Sequence, residues 1–213
     1  MEATPKQTTT LQAFPSITED EFREGCKALE DRSFDKLDGT DWLSVKWTGK
    51  ELIIKQRRAI HSPEYEAPEE CAEVDRVAED LCATDILPCR SRSEHLIVDF
   101  SVTLSPVYCV PVLYFSCKHS SYSMRLNLDQ MYDWMVPRTS QTSLRNTGVM
   151  GGISMAHHPI SDQPAYFIHP CNTPEALSAL RPTTSLNPEG YLILWLGLIG
   201  SSVGLHVPSR LLA

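Results

Sequence analysis

The sequence predicts an α+β fold with an N-terminal helix, an antiparallel sheet, and further helices after a cysteine at a sharp corner. Three observations predict it. A helix-start signature stands at residues 16–34, alternating apolar stretches cluster between residues 42 and 117, and helix caps recur after Cys171. Strands grouped ahead of helices, rather than alternating with them, point to α+β and away from α/β.

Residues 1–15 are polar and rich in Thr, which predicts a disordered tail ahead of a single domain over residues 16–213. In "SITEDEFREGCKALEDRSF", Thr18 and Glu21 have capping-box spacing, and Ile17 and Phe22 stand where a hydrophobic staple would close. Phe22, Cys26 and Leu29 then form one helical stripe. "WLSVKWTGKELIIKQRR" reads as a hairpin, with Leu43, Val45 and Trp47 alternating inward and Thr48-Gly49-Lys50 turning the chain. The stretch at 61–93 reads as an acidic insertion. "VDFSVTL" alternates as a strand, and "VPVLYFSCK" is apolar on both faces, as a buried strand requires.

"NLDQMYDWMVP" places Leu128, Met131, Tyr132 and Met135 on one helical face, ended by Pro137. Residues 138–157 read as a loop, and "PAYFI" as a short strand running into Cys171. Thr173 followed by Pro174 and Glu175 predicts a helix capped at Thr173. The apolar run from Tyr191 to Leu205 has 15 residues and three glycines. A bilayer span needs about 20 apolar residues, so a core-packed helix is expected instead.

The formal net charge of -8 argues against nucleic acid and anionic membranes as partners. Between His61 and Cys89 stand nine acids and one base, Arg76, so that segment alone carries -8. No cationic stretch leading into an apolar core opens the chain, so no secretory signal is expected. Seven cysteines, an odd number without paired spacings, suggest a reducing compartment and free thiols. The gaps from Cys82 to Cys89 and from Cys109 to Cys117 do not match zinc spacing, and no metal or cofactor is expected.

Cys171 is the candidate for chemistry. A thiol attacks as thiolate, and a helix N-terminus favours that form through its unpaired N–H groups and dipole. Pro170 and Pro174 stiffen both sides of the corner. The other reading is a small buried thiol, which fits Cys26, Cys109 and Cys117 inside their helix or strand patterns. A hydrolase would need a histidine base with an orienting partner; His157, His158 and His169 are near in sequence, without a protease signature.

The segments "VPVLYF", "HPISDQPAYFIHPCNT" and "WLGLIGSSVGLHVP", in that order, resemble the autophagy ubiquitin-like-conjugating enzymes of the autophagy-related protein ten family. The resemblance covers residues 95–208 and is strongest over 158–173. It implies a variant of the ubiquitin-conjugating-enzyme fold, with Cys171 as the catalytic position and no cofactor. Cys171 would take the modifier, autophagy-related protein twelve, from the activating enzyme, autophagy-related protein seven. It would pass the modifier to a lysine of autophagy-related protein five, in the cytoplasm or at sites of autophagosome assembly. Tyr108 matches a family tyrosine beside the cysteine, and His169 a position that supports the thioester. Gln163 stands where ordinary ubiquitin-conjugating enzymes carry Asn, eight residues before the cysteine. Two alternatives stay open: the sister enzyme type, which acts on a lipid, and an inert binding module of the same fold. For the acceptor, the hairpin at 42–57 and the strand at 96–104 are expected to offer an edge, with Lys46 and Asp99 in contact.

Overall fold

The structure is a computed structural model that describes residues 10–59, 95–119, 127–146, 152–180, 182 and 185–213. The acidic stretch at 61–93 and residues 1–9 of the expected tail lie outside the described residues. Residues 10–15, which the sequence groups with that tail, are tied to the domain. Leu11 donates its amide to Leu186 at 3.0 Å, and the Phe14 ring meets Tyr191 edge-on.

Helix α1, Glu19–Ser33, begins as its residues dictate. Thr18 and Glu21 form both halves of the capping box, which stabilises a helix start by about 1 kcal/mol. Ile17, Phe22, Cys26 and Leu29 are all buried. Strand β1, Trp42–Trp47, turns at Gly49 (φ 96) into β2, Leu52–Ala59. The hairpin departs from simple alternation. Trp42 faces Gln56 while Ser44 faces Lys55, so Leu43 is an extra residue in a β-bulge. Trp42 therefore turns inward with Val45, and Leu43, expected in the core, is 45% exposed.

Strands β3, His95–Leu104, and β4, Pro111–His119, continue the antiparallel sheet, whose order is completed by β6, Pro164–Ile168, and β5, Ile153–His157. The full order is β1-β2-β3-β4-β6-β5. Strand β3 therefore pairs on both sides and offers no edge, contrary to the expectation for 96–104. Asp99 instead faces Lys55 across the ladder, at 3.8 Å.

Helix α2, Leu128–Met135, buries Met131, Tyr132 and Met135 but leaves Leu128, at its first position, exposed. The expected loop over 138–157 is a second correction, since it holds helix α3, Arg138–Asn146, and strand β5. The α3 segment is too polar to announce itself by an apolar stripe. Side-chain bonds hold it: Gln141 donates to the carbonyls of Tyr132 and Val136, and the Arg145 guanidinium lies 4.5 Å from the Tyr132 ring centre.

The chain closes with α4, Thr173–Leu180, and α5, Pro188–Ile199, the latter capped by Asn187 and running into a 3-10 turn, Gly200–Val203. Tyr191, Leu192, Trp195 and Leu196 are buried, so the apolar run is a core helix as expected. Among the described residues no helix is long and apolar enough to cross a membrane. Gly25 makes room for this packing, because a Cβ there would lie 2.6 Å from the Pro188 carbonyl oxygen. Arg32 of α1 grips the Glu189 carboxylate at the start of α5 through two nitrogens.

Register assigns the two sheet faces. Ile54, Val98, Phe100, Phe115, Tyr166 and Ile168 point to the face that joins the buried cluster with α1, α2 and α5. Ser101, Tyr114 and Phe167 point to the opposite face, which is polar and aromatic. Arg58 anchors the end of β2 to the last turns of two helical segments. It donates to the carbonyl of Met135 at 3.2 Å, of Val203 at 3.0 Å and of Gly204 at 2.8 Å. Those carbonyls have no intrahelical donor left, so a guanidinium is a fitting partner.

Candidate active site at the cysteine corner

Strand β6 ends at Ile168, and the chain bends within three residues. Pro170–Asn172 form a 3-10 turn that continues directly into α4. The cap is not Thr173, as expected, but His169. Its Nδ1 accepts the amide of Cys171 at 3.2 Å, and Pro170 supplies a φ already suited to the turn. Thr173 is already helical (φ -63, ψ -44) and buried. Cys171 therefore lies inside the first helical turn rather than ahead of it.

This arrangement redistributes the donors expected around the sulfur. The Cys171 amide is taken by His169, and the Thr173 amide by the Pro170 carbonyl. What stands next to the sulfur is the Asn172 side chain, with Oδ1 3.5 Å from Sγ and accepting from the thiol. Once the sulfur carries an acyl group no S–H remains, and the amide group can present its nitrogen instead. Asn172 is a functional candidate that the sequence reading passed over. Its only signal was adjacency to the cysteine.

Because Nδ1 of His169 is an acceptor, the ring proton sits on Nε2. Tyr108 packs edge-on against this ring, with centroids 5.8 Å apart and planes at 78°. The structure thus brings Tyr108, His169 and Cys171 together in sequence: ring on ring, and ring on the cysteine's amide. Tyr108 lies in the turn between β3 and β4, where its own amide bonds to Ser105 Oγ.

Thiols elsewhere make a contrast. Cys26 is fully buried, and burial pushes its thiol well above the ordinary range. Burial pushes Cys117 up to about 12, where it is inert at neutral pH. Cys171 is only partly buried. Cys109, expected inside a strand pattern, is instead exposed in the turn with φ 52.

His157, His158 and His169 do not converge on a hydrolase site. His157 Nδ1 lies 3.0 Å from the Asp162 carbonyl, His158 is bonded to Ser101, and His169 holds an amide. Gln163 is exposed in the turn after β5, its carbonyl accepting from the His158 amide. Among the described residues no cluster of His, Cys, Asp and Glu has the makings of a metal site.

Fold and corner together define an α+β domain of the conjugating-enzyme type, with a partly exposed thiol at the start of a helix. Comparison with known proteins supplies the family. The model of the autophagocytosis associated protein, active-site domain, matches residues 21–210, and the chain belongs to that family. It is 34% identical over 135 residues to the ubiquitin-like-conjugating enzyme ATG10 of Gibberella zeae, covering 63% of this chain and 56% of that protein. To the protein of the same name from Homo sapiens it is 29% identical, over 58% of this chain and 56% of that one. To that of Arabidopsis thaliana it is 28% identical, over 76% and 73%. The chain thus spans just over half the length of the first two relatives. A crystal structure described as the autophagic E2, Atg10, superposes with a TM-score of 0.51. It covers 90% of this chain and 99% of its own at 14% identity, a likeness of fold.

Proposed function

We propose that this protein is a ubiquitin-like-conjugating enzyme of autophagy with Cys171 as its acyl carrier. The observation that carries the reading is the corner itself. A partly exposed thiol occupies the first turn of a helix, its amide fixed by His169, in a chain of a family defined by an active-site domain.

The first step is transthioesterification. The Cys171 thiolate attacks the carbonyl carbon of the modifier's C-terminal glycine, held as a thioester on the activating enzyme. A C–S bond forms to Cys171, and the donor's thiolate leaves. The second step is aminolysis. A neutral lysine amine of the acceptor attacks the same carbon, an amide bond forms, and Cys171 leaves as thiolate while the nitrogen gives up a proton. The amine must be deprotonated, and desolvation against the conjugating enzyme lowers its pKa. In both steps negative charge grows on the carbonyl oxygen. The Asn172 side chain, whose Oδ1 lies 3.5 Å from Sγ, is placed to turn its amide nitrogen toward that oxygen once the thiol is acylated. His169 fixes the turn, and Tyr108 backs His169. The modifier, activating enzyme and acceptor are autophagy-related proteins twelve, seven and five.

The test is a non-reducing gel after incubation with activating enzyme, modifier and ATP. A thiol-sensitive adduct is expected for the wild type, none for Cys171→Ala, and a thiol-resistant oxyester for Cys171→Ser. An adduct of equal yield in wild type and Cys171→Ala would overturn the reading.

A further inference from the structure

Five aromatic rings form a continuous row leading into the cysteine corner. His158 meets Tyr114 edge-on with centroids 4.9 Å apart, and Tyr114 stacks on Phe167 at 5.5 Å. Phe167 lies 6.1 Å from His169, and His169 lies 5.8 Å from Tyr108. The far end of this row is fastened by His158, which is only 6% exposed. The conjugating activity proposed above makes no use of it.

Both nitrogens of His158 are engaged. Nδ1 accepts the amides of Ile160 at 3.3 Å and Ser161 at 3.2 Å, which closes the turn between β5 and β6. Nε2 lies 2.9 Å from Ser101 Oγ on β3 and 3.4 Å from Glu51 Oε2. Since Nδ1 accepts, Nε2 carries the proton and donates it to Ser101. The Ser101 hydroxyl in turn donates to Glu51. A hydroxyl so placed is not a nucleophile, because its lone pair receives the histidine proton and its own proton goes to the carboxylate.

We propose that His158 is a positioning residue for the cysteine corner. It fastens the turn at 158–163 to β3 and, through the Tyr114 and Phe167 rings, sets the seat of His169 and so of the Cys171 amide. This rests on the conjugating reading for its consequence, but not for its structure.

The arrangement has a pH dependence of definite sign. Burial lowers the His158 pKa, and the Glu51 carboxylate opposes that shift. The neutral form is therefore the folded one. Its stabilisation is present above the ordinary histidine value and is lost as pH falls through the lowered folded value. Protonation at Nδ1 would set an N–H against two amide N–H groups. The groups facing the ring are Glu51 from the turn just before β2, Ser101 from β3 and Tyr114 from β4. Lys55 and Asp99 pair with each other beside them, and Asp162 of the same turn pairs outward with His157.

Long-range proton–nitrogen spectra of the full chain read the tautomer directly. The expected result at pH 7.5 is a proton on Nε2, with slow hydrogen exchange at Ile160 and Ser161. That protection should disappear only below the ordinary histidine range of about 6.5. A proton on Nδ1, or unprotected amides at pH 7.5, would overturn the proposal whatever the activity. In single-turnover discharge of modifier from Cys171, His158→Ala should be slower by roughly tenfold to a hundredfold. His158→Asn, whose Oδ1 still accepts from the turn but does not titrate, should recover most of that loss and abolish the acid-side fall. Equal discharge by wild type and His158→Ala would refute the positioning role. Should His158→Ala fail to fold, Ser101→Ala replaces it, with slower discharge and a shifted His158 titration expected, and no change in either counting against the proposal. A wild-type chain that forms no Cys171 adduct would defeat the conjugating reading alone, leaving the tautomer result to stand separately.

Discussion

On one face of the sheet, Phe22, Leu29, Trp195 and Leu196 from the helices close over Val98, Phe100 and Phe115. On the other, a row of rings and side-chain hydrogen bonds leads from Glu51 to Cys171. The first face is held by apolar area, which adds up over many contacts and tolerates small errors in any one of them. The second is held by a few directed bonds, each of which fixes a position. A core can therefore absorb a change of shape where the cysteine corner cannot, and the candidate chemistry sits on the face where geometry is specified most narrowly.

The largest test of this contrast is in the core. Trp195→Ala should cost about 3 to 5 kcal/mol in urea unfolding, with loading of Cys171 preserved under conditions where the variant is folded. A stable variant would mean that the helix-covered face is not the source of stability. Arg58 sharpens the comparison, because it is a directed polar clamp on the helix-covered side. Arg58→Met leaves the Met135 and Val203 carbonyls short of a donor, while Gly204 keeps the Gln56 amide, and should cost about 2 to 4 kcal/mol, with Arg58→Lys in between. A thermal melt identical to wild type would show that those carbonyls find other partners.

On the polar face the effects should fall on rate rather than stability. Asn172→Ala should slow both loading and aminolysis about tenfold, near 1.4 kcal/mol, with an unchanged melt. Equal discharge rates would remove Asn172 from the chemistry. Smallest of all, Leu43→Ser in the bulge should change stability by less than about 0.5 kcal/mol. A larger loss would place that side chain in the core after all.

Much of the helix-covered face was legible in the sequence because burial leaves a period. The capping box at Thr18, the stripe of Phe22, Cys26 and Leu29, and the alternation of Val98, Phe100 and Val102 all reappear in the structure. The resemblance carried by residues 158–173 likewise pointed to the family. Features that rest on single directed bonds leave no period. Helix α3 hangs on Gln141 and Arg145, the cap at the corner on one imidazole nitrogen, and the turn after β5 on His158. None of these shows in hydropathy. The bulge at Leu43 misled for a related reason, since one extra residue reverses which side chains point inward.

That bulge has a consequence for how the outer strand can meet another chain. Strand β1 ends the sheet, and a straight outer strand presents a row of unused amides and carbonyls to any passing chain. A kink beside Trp42 breaks that row and raises the local twist, so a second copy cannot zip along the whole strand. Only the short straight run from Ser44 to Trp47 keeps regular spacing, and Lys46 stands exposed within it as a charged deterrent to self-association.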